Sequence, residues 1–417
     1  MTMSSAVPVT NAIAIRPGEP LIGSVQVDGS KTAVLPLLAA AAAVGRPVHL
    51  GNVPQCQDVR TTLDLLQRCG FSAARSVTNP EEVVILPISS PGRPPELPDV
   101  ATIRAPYYLV PALLASCGQA CLPWPGGCPG GERGLHFRIY EAFGDRVLLG
   151  SSGYQVHRAE SRTSEMELGL PFRSRGATVA AVLRAVIDCC PLALFQPNLS
   201  PEVTEILAFL RQAGWEVSAD EDAVNLAPPY EGSNTPVIWE VPGDKVEAVA
   251  LACAVAVEAF AWLGIAAYAG SDMVTVRAND TQLTGKPLRA IASSAPGGLD
   301  ADFEPSLMAV ALGTPGTHLF ADTINPGWHG NLIPQLARLG AVIEHLSATH
   351  CRLVGPQRLV GARVKANDIL SGSTLIIAGL AASGTTTVTG LAQLQRGHAD
   401  LPSKLRQLGA NITERVA

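Results

Sequence analysis

The 417-residue chain is short of aromatic side chains, at 5%, and of charge, at 16%. Too few aromatics are available for a base-stacking nucleic-acid module. Basic residues are not in excess either: 30 Lys and Arg against 36 Asp and Glu give a net charge of -6, which argues against a phosphate-backbone footprint. No nucleic-acid partner is expected. A basic start followed by an apolar run is lacking, so no secretory signal is expected. The best membrane candidate, residues 246–269, is broken by Glu247 and Glu258. A charge at a helix centre costs about 2.5–3.5 kcal/mol on insertion scales. A buried helix plus a buried strand is therefore the better reading, and no membrane partner is expected. CxxC pairs and His-rich clusters are missing, so no structural zinc site is expected. The nine cysteines, an odd number without framework spacing, read as free thiols in a reducing compartment, with those in apolar segments, such as Cys189, Cys190 and Cys253, in the core. What remains is a soluble cytoplasmic protein, 47% hydrophobic and long enough for two to three domains around large cores.

One unit recurs along the chain: a loop, a helix of small apolar residues, a short strand with a turn, then an amphipathic helix closed by Gly. The first copy reads GSKTAVLPLLAAAAA from Gly29, PVHLGNV from Pro47 and DVRTTLDLLQRCG ending at Gly70. Others begin at Ser174, Asp302 and Asn367, with closing pieces FLRQAG, QLARLG and KLRQLG that align with LLQRCG without gaps. Leu at helical spacing supplies the buried stripe and Gly the left-handed terminal position. Two weaker copies, from Arg104 and Gly243, bring the total to six, the second of them without an evident closing helix. Six units suggest an α/β protein of two lobes, each of three repeats, with the small-residue helices inside and the amphipathic helices outside. A solenoid is the other arrangement of such repeats, but its units would be shorter and more alike. Lobe 1 is expected over 31–241 and lobe 2 over 1–30 plus 242–417, with an active site in the cleft between them.

GSKTAVLP puts Lys31 at the mouth of a helix after a Gly-Ser turn, where backbone N–H groups and an ammonium form an anion site. A surface lysine beside a turn fits that string equally well. WPGGCPGGER surrounds Cys128 with glycine and proline and follows it with Glu132 and Arg133, a setting in which a thiol can be tuned, or an incidental cysteine in a loop. GLDADFEPSL places Asp300, Asp302 and Glu304 before a small-residue helix; acids there often merely cap the helix, and the alternative is a general base. LQRGHAD puts Arg396 and His398 in a turn before the last helix, and SRG puts Arg175 at another helix start.

These strings resemble the enolpyruvyltransferase family, in its UDP-N-acetylglucosamine branch. GSKTAVLP is similar to the family's G-A-K-N-A-A-L-P, PVHLGNVPQCQDV to its first strand and turn, PGGC to its active-site loop and LQRGHADLPSKLRQLGANI to its C-terminal repeat. The similarity runs over nearly the whole chain. It implies two lobes, each a three-fold pseudo-symmetric inside-out α/β barrel. It also implies transfer of the enolpyruvyl group of phosphoenolpyruvate to a hydroxyl of a nucleotide-type acceptor, releasing phosphate through a tetrahedral adduct, with no metal or organic cofactor. By position, Lys31, Arg133 and Arg396 would hold phosphoenolpyruvate, with Lys31 also counted among the catalytic residues. Cys128 would protonate C3, and Asp302 would take the acceptor's proton. Thr32, Ser174, Arg175, Gly176 and His136 would line the acceptor site.

The departures concern the acceptor. The family's Asn after the Lys is Thr32, an arginine expected in the helix before the cysteine loop falls near Leu114, another near Asp368 is Leu370, and one in the turn INPGWH is absent. A lysine expected before SRG is Phe172, while Arg173 and Arg175 are new cations. Losing guanidiniums that fix anions bidentately is not conservative. The expectation is thus a paralogue with an altered, UMP-like acceptor in secondary metabolism. The standard reaction of peptidoglycan synthesis and a non-catalytic nucleotide-binding regulator are the alternatives.

Overall fold

The computed structural model describes residues 12–88, 106–124, 134–161, 163–229, 235–258, 266–269, 274–277, 287–293, 299–325 and 327–415. The chain divides into two compact units: Asp28–Asp244 with 294–297, and Met1–Val27 with Lys245–Ser293 and Gly298–Ala417. They are called the central and terminal units below. The sequence expects the breaks at 31 and 241.

The first described element is β1 (Ala12–Ile15) of the terminal unit. The central unit follows, with α1 (Lys31–Ala43), β2 (Val48–Gly51), α2 (Gln57–Arg68), β3 (Ser72–Arg75), β4 (Val83–Leu86), α3 (Pro106–Cys117), β5 (Gln119–Pro123), α4 (Gly134–Ala142), β6 (Arg146–Leu149) and β7 (Gly153–His157). It continues through β8 (Met166–Gly169), α5 (Arg175–Asp188), β9 (Leu192–Phe195), α6 (Pro201–Gln212), β10 (Glu216–Ala219), β11 (Ala223–Ala227) and β12 (Val237–Glu240). Back in the terminal unit come α7 (Lys245–Glu258), β13 (Ala266–Ala269), β14 (Val274–Arg277), β15 (Arg289–Ala292), α8 (Glu304–Gly313), β16 (Gly316–Asp322) and α9 (Trp328–Arg338). Last are β17 (Ile343–His345), β18 (His350–Gly355), β19 (Arg363–Lys365), α10 (Ile369–Ala381), β20 (Thr386–Thr389), α11 (Leu391–Leu394), α12 (Leu401–Gln407) and β21 (Ile412–Arg415).

Composition sorts the helices into layers. α1 is apolar all round, with every residue from Ala33 to Ala43 buried, so no face of it is suited to water. In the central unit α1, α3 and α5 pack on one another; in the terminal unit α7, α8 and α10 do the same. Small side chains permit that close approach. The amphipathic α2, α4 and α6 lie against these inner helices and the neighbouring strands, as α9 does on α10. The glycines that close the repeats, Gly70, Gly144, Gly214, Gly340 and Gly409, have φ between 83° and 108°, the left-handed backbone that ends each helix.

The central unit has three sheets, ordered β12-β2-β4-β3, β5-β7-β6 and β10-β11-β9-β8. The terminal unit has β19-β20-β1-β21, β15-β16-β18-β17 and the pair β13-β14. Each four-stranded sheet contains one parallel pair, and in three of the four the strands of that pair flank an inner helix: β8 and β9 around α5, β15 and β16 around α8, β19 and β20 around α10. Among the described residues the strands form separate sheets, so each unit is an α/β arrangement of three sheets around three inner helices. Each unit has its own hydrophobic core.

Among the described residues eight cysteines are free, and three of them correct the expectation of a core position. Cys189 is exposed at the left-handed C-cap of α5, and Cys117 and Cys121 are half-buried; only the other five are in the core. No described helix is long and apolar enough to cross a membrane.

Candidate functional site

In the central unit the site residues gather at the N-terminal ends of the inner helices. Ser30 caps α1, its hydroxyl accepting from the Ala33 N–H, and Ser174 caps α5 by accepting from Ala177. Lys31 and Arg175 are therefore the first residues of their helices, at the positive ends of the two dipoles. The glycine of GSK is required by close approach, since a Cβ at Gly29 would lie 1.8 Å from the carbonyl oxygen of Asn52.

Carboxylates from the outer helices meet these cations. Lys31 Nζ is 3.8 Å from Asp58 Oδ2, and the Lys31 backbone N–H donates to Asp244 Oδ2 at 3.0 Å. Arg175 Nε is 3.7 Å from Glu202 Oε2, while the Thr32 hydroxyl donates to Glu202 Oε1 at 3.3 Å. Glu202 thus joins Thr32 of α1 to Arg175 of α5. Gly176 faces His136 in the first turn of α4, where a Cβ would fall 2.1 Å from Nε2, and the Tyr107 ring lies 5.0 Å from the imidazole. Lys31, Thr32, Ser174, Arg175, Gly176 and His136 accordingly share one end of the unit. Cys128 and Arg133 lie outside the described residues.

In the terminal unit Asp302 occupies the turn before α8. None of the three acids of that segment caps the helix: Phe303 is the N-cap and makes no side-chain cap bond. Asp300 instead accepts the Asp302 backbone N–H at 3.1 Å and pairs with Lys245 Nζ at 2.7 Å, while Glu304 lies 2.8 Å from His329 Nε2. Arg396 donates to Gln393 Oε1 at 3.2 Å. Its charge also reaches Asp368, whose carboxyl caps α10 in a capping box with Ser371; burial pushes that carboxyl up, against the cap hydrogen bonds and Arg396. His398 is buried in the same turn region. Lys404 bonds Glu247 at the start of α7 at 2.7 Å.

Sequence reasoning missed Asp58, Glu202, Asp244, Lys245 and His329. A signal for three of them was in the repeat: Asp58, Glu202 and His329 each occupy the second position of an outer helix, and each pairs with the first residue of the inner helix in its own copy. The positions where the resemblance expects arginine behave differently: Leu114 is buried in the hydrophobic core of the central unit, and Leu370 is buried in the first turn of α10.

Two units of three sheets on three inner helices, with cations and acids at the ends of those helices, define a class. The chain belongs to the enolpyruvyltransferase family: the profile described as EPSP synthase (3-phosphoshikimate 1-carboxyvinyltransferase) matches residues 15–261. It is 31% identical over 432 aligned residues to the UDP-N-acetylglucosamine 1-carboxyvinyltransferase of Sphingopyxis alaskensis, covering 97% of this chain and 99% of the relative. The UDP-N-acetylglucosamine 1-carboxyvinyltransferase 2 of Carboxydothermus hydrogenoformans is also 31% identical, over 95% of this chain and 97% of its own. The fold is that of the enolpyruvyl transferase NikO from Streptomyces tendae, with a TM-score of 0.83 at 23% identity over 97% of this chain and 99% of that one. EPSP synthase from Acinetobacter baumannii superposes with a TM-score of 0.69 at 15% identity, covering 97% and 100%.

Proposed function

We propose that this enzyme transfers the enolpyruvyl group of phosphoenolpyruvate to a hydroxyl of a nucleotide-type acceptor that differs from UDP-N-acetylglucosamine, a UMP-like nucleotide of secondary metabolism being the leading candidate. The observation that carries the altered acceptor is the replacement of anion-binding chemistry around the inner helices. Leu114 and Leu370 are core residues, so no guanidinium works from those positions. A new guanidinium, Arg175, stands at the first position of α5 and is oriented by Glu202. A cation moved from one place to another fits an acceptor whose phosphate is placed differently.

In this reading Lys31, Arg133 and Arg396 hold the phosphate and carboxylate of phosphoenolpyruvate. Asp302 takes the acceptor's hydroxyl proton as the oxygen bonds to C2, and Cys128 gives a proton to C3; loss of a C3 proton then expels phosphate. Thr32, Ser174, Arg175, Gly176 and His136 hold the acceptor. Burying the reacting groups keeps water from the cationic centre that develops at C2. No metal or organic cofactor is needed for these steps.

The test is phosphate release from phosphoenolpyruvate, with the product identified by mass spectrometry, using UMP and UDP-N-acetylglucosamine in parallel. Turnover with UMP supports the proposal. Turnover with UDP-N-acetylglucosamine alone establishes the standard reaction, which the 31% identity over nearly the full chain favours. Phosphoenolpyruvate that gives neither turnover nor a thermal shift points to a regulator.

A further inference from the structure

Three repeats tie the first residue of an inner helix to the second residue of the following outer helix: Lys31 to Asp58, Arg175 to Glu202 and Glu304 to His329. In the third the charges are reversed. The first two pairs are long, at 3.8 and 3.7 Å, and their cations remain part-exposed, the Lys31 side chain at 17% and Arg175 at 31%. The third is a 2.8 Å contact between side chains only 1% and 3% exposed. His329 also hydrogen-bonds the buried Cys351 of β18, and the second carboxylate oxygen of Glu304 is buried with no hydrogen-bond partner among the described residues.

A half-satisfied carboxylate enclosed in a core is costly, and an apolar pair would fill the same space without that cost. Its neighbours in sequence suggest its use. On one side of Asp302, Asp300 accepts the Asp302 N–H and is fixed by Lys245; on the other, Glu304 is fixed by His329. We infer that Glu304 and His329 form a positioning pair that joins the first turn of α8 to the first turn of α9 and so fixes the turn that presents Asp302. The pair acts through Asp302 and touches no substrate. The inference rests on the proposed role of Asp302 as base, and its test separates the two.

Glu304→Gln, Glu304→Asp and Asp302→Asn are compared with the parent enzyme in phosphate release, with UMP and UDP-N-acetylglucosamine as parallel acceptors. Amide hydrogen exchange is followed over residues 300–306 and over α10. Misplacing a catalytic group by about 1 Å can cost on the order of 100-fold in rate. The expected result for Glu304→Gln is a folded enzyme with a melting temperature lowered near neutral pH, faster exchange at 300–306 but not over α10, and a kcat lowered roughly tenfold or more, with both KM values unchanged. Glu304→Asp, which keeps the charge, recovers part of the loss, and it is read in the same way if Glu304→Gln does not fold. Unaltered exchange across 300–306 overturns the inference whether or not either acceptor is used. So does a raised KM at constant kcat. Full turnover by Asp302→Asn overturns the base assignment itself, whereas a dead Asp302→Asn beside a fully active Glu304→Gln overturns only the positioning role.

Discussion

Gly176 shows what one missing side chain allows. Its Cα faces His136 so closely that a Cβ would stand 2.1 Å from Nε2, and His136 is backed by the Tyr107 ring at 5.0 Å. Gly176→Ala must therefore displace the imidazole. On the proposed acceptor-binding role of both residues, the substitution is expected to raise the acceptor KM roughly tenfold, about 1.4 kcal/mol, and to leave the phosphoenolpyruvate KM unchanged. Steady-state kinetics in each substrate separates the two constants. For Cys128, an epoxide analogue of phosphoenolpyruvate is expected to label that thiol; peptide mapping that finds another cysteine modified would remove it from the mechanism. The residue types were legible in the sequence: Lys31, Arg175 and Asp302 stand at helix entries by local pattern. Their partners were not, because Lys31 and Asp244 are 213 positions apart and only folding joins them.

At the scale of elements, the caps and buried pairs carry measurable energy. Ser30→Ala and Ser174→Ala each remove a cap and are expected to cost about 1 kcal/mol in denaturant unfolding. The Arg184 side chain on α5 is fully buried between Asp145 and Asp188, and Arg158 pairs with Asp188 as well. Arg184→Ala strands those carboxylates and should cost about 3–5 kcal/mol; the same unfolding experiment with Arg184→Ala and Asp145→Ala combined should show strong non-additivity. The Glu304–His329 pair has a pH signature. Burial pulls the imidazole down, but hydrogen bonds to Cys351 and Glu304 and the carboxylate's charge prevail, and its pKa is pushed up to about 10 from 6.5. A raised folded pKa means stability that is fully present below pH 6.5 and lost as pH rises towards about 10. The stability gap between parent and His329→Gln, measured by urea unfolding from pH 6 to 10, should shrink as pH rises. Repeat periodicity made the helices and their order readable, and positive-φ glycines such as Gly70 and Gly214 fell where the pattern put them. The swap of sign at Glu304 and His329 was hidden, since an acid at a helix start looks like an ordinary cap.

For the molecule as a whole, the two units differ in how the chain builds them. The described part of the central unit comes from the continuous stretch 28–244 and encloses a core of its own. The terminal unit is discontinuous, because β1 lies between β20 and β21 in the middle of a sheet. A fragment of residues 28–244 is thus expected to melt cooperatively by itself, while residues 245–417 without β1 are not. Circular dichroism melts of the two fragments check this; a cooperative transition in 245–417 would show that β1 is dispensable.

The sequence by itself determined the six repeats and the sorting of helices into inner and outer layers, because these rest on spacing and on which side chains can enter a core, and its motif strings carried the resemblance to the family. Tertiary structure alone decided how the described strands pair into separate sheets, that Cys189 is exposed, and which acids hold which cations. The physical reason is one of range. Periodicity is written over a few neighbouring residues, but an ion pair such as Lys31 with Asp58, or Thr32 with Glu202, depends on how separate helices come to lie side by side.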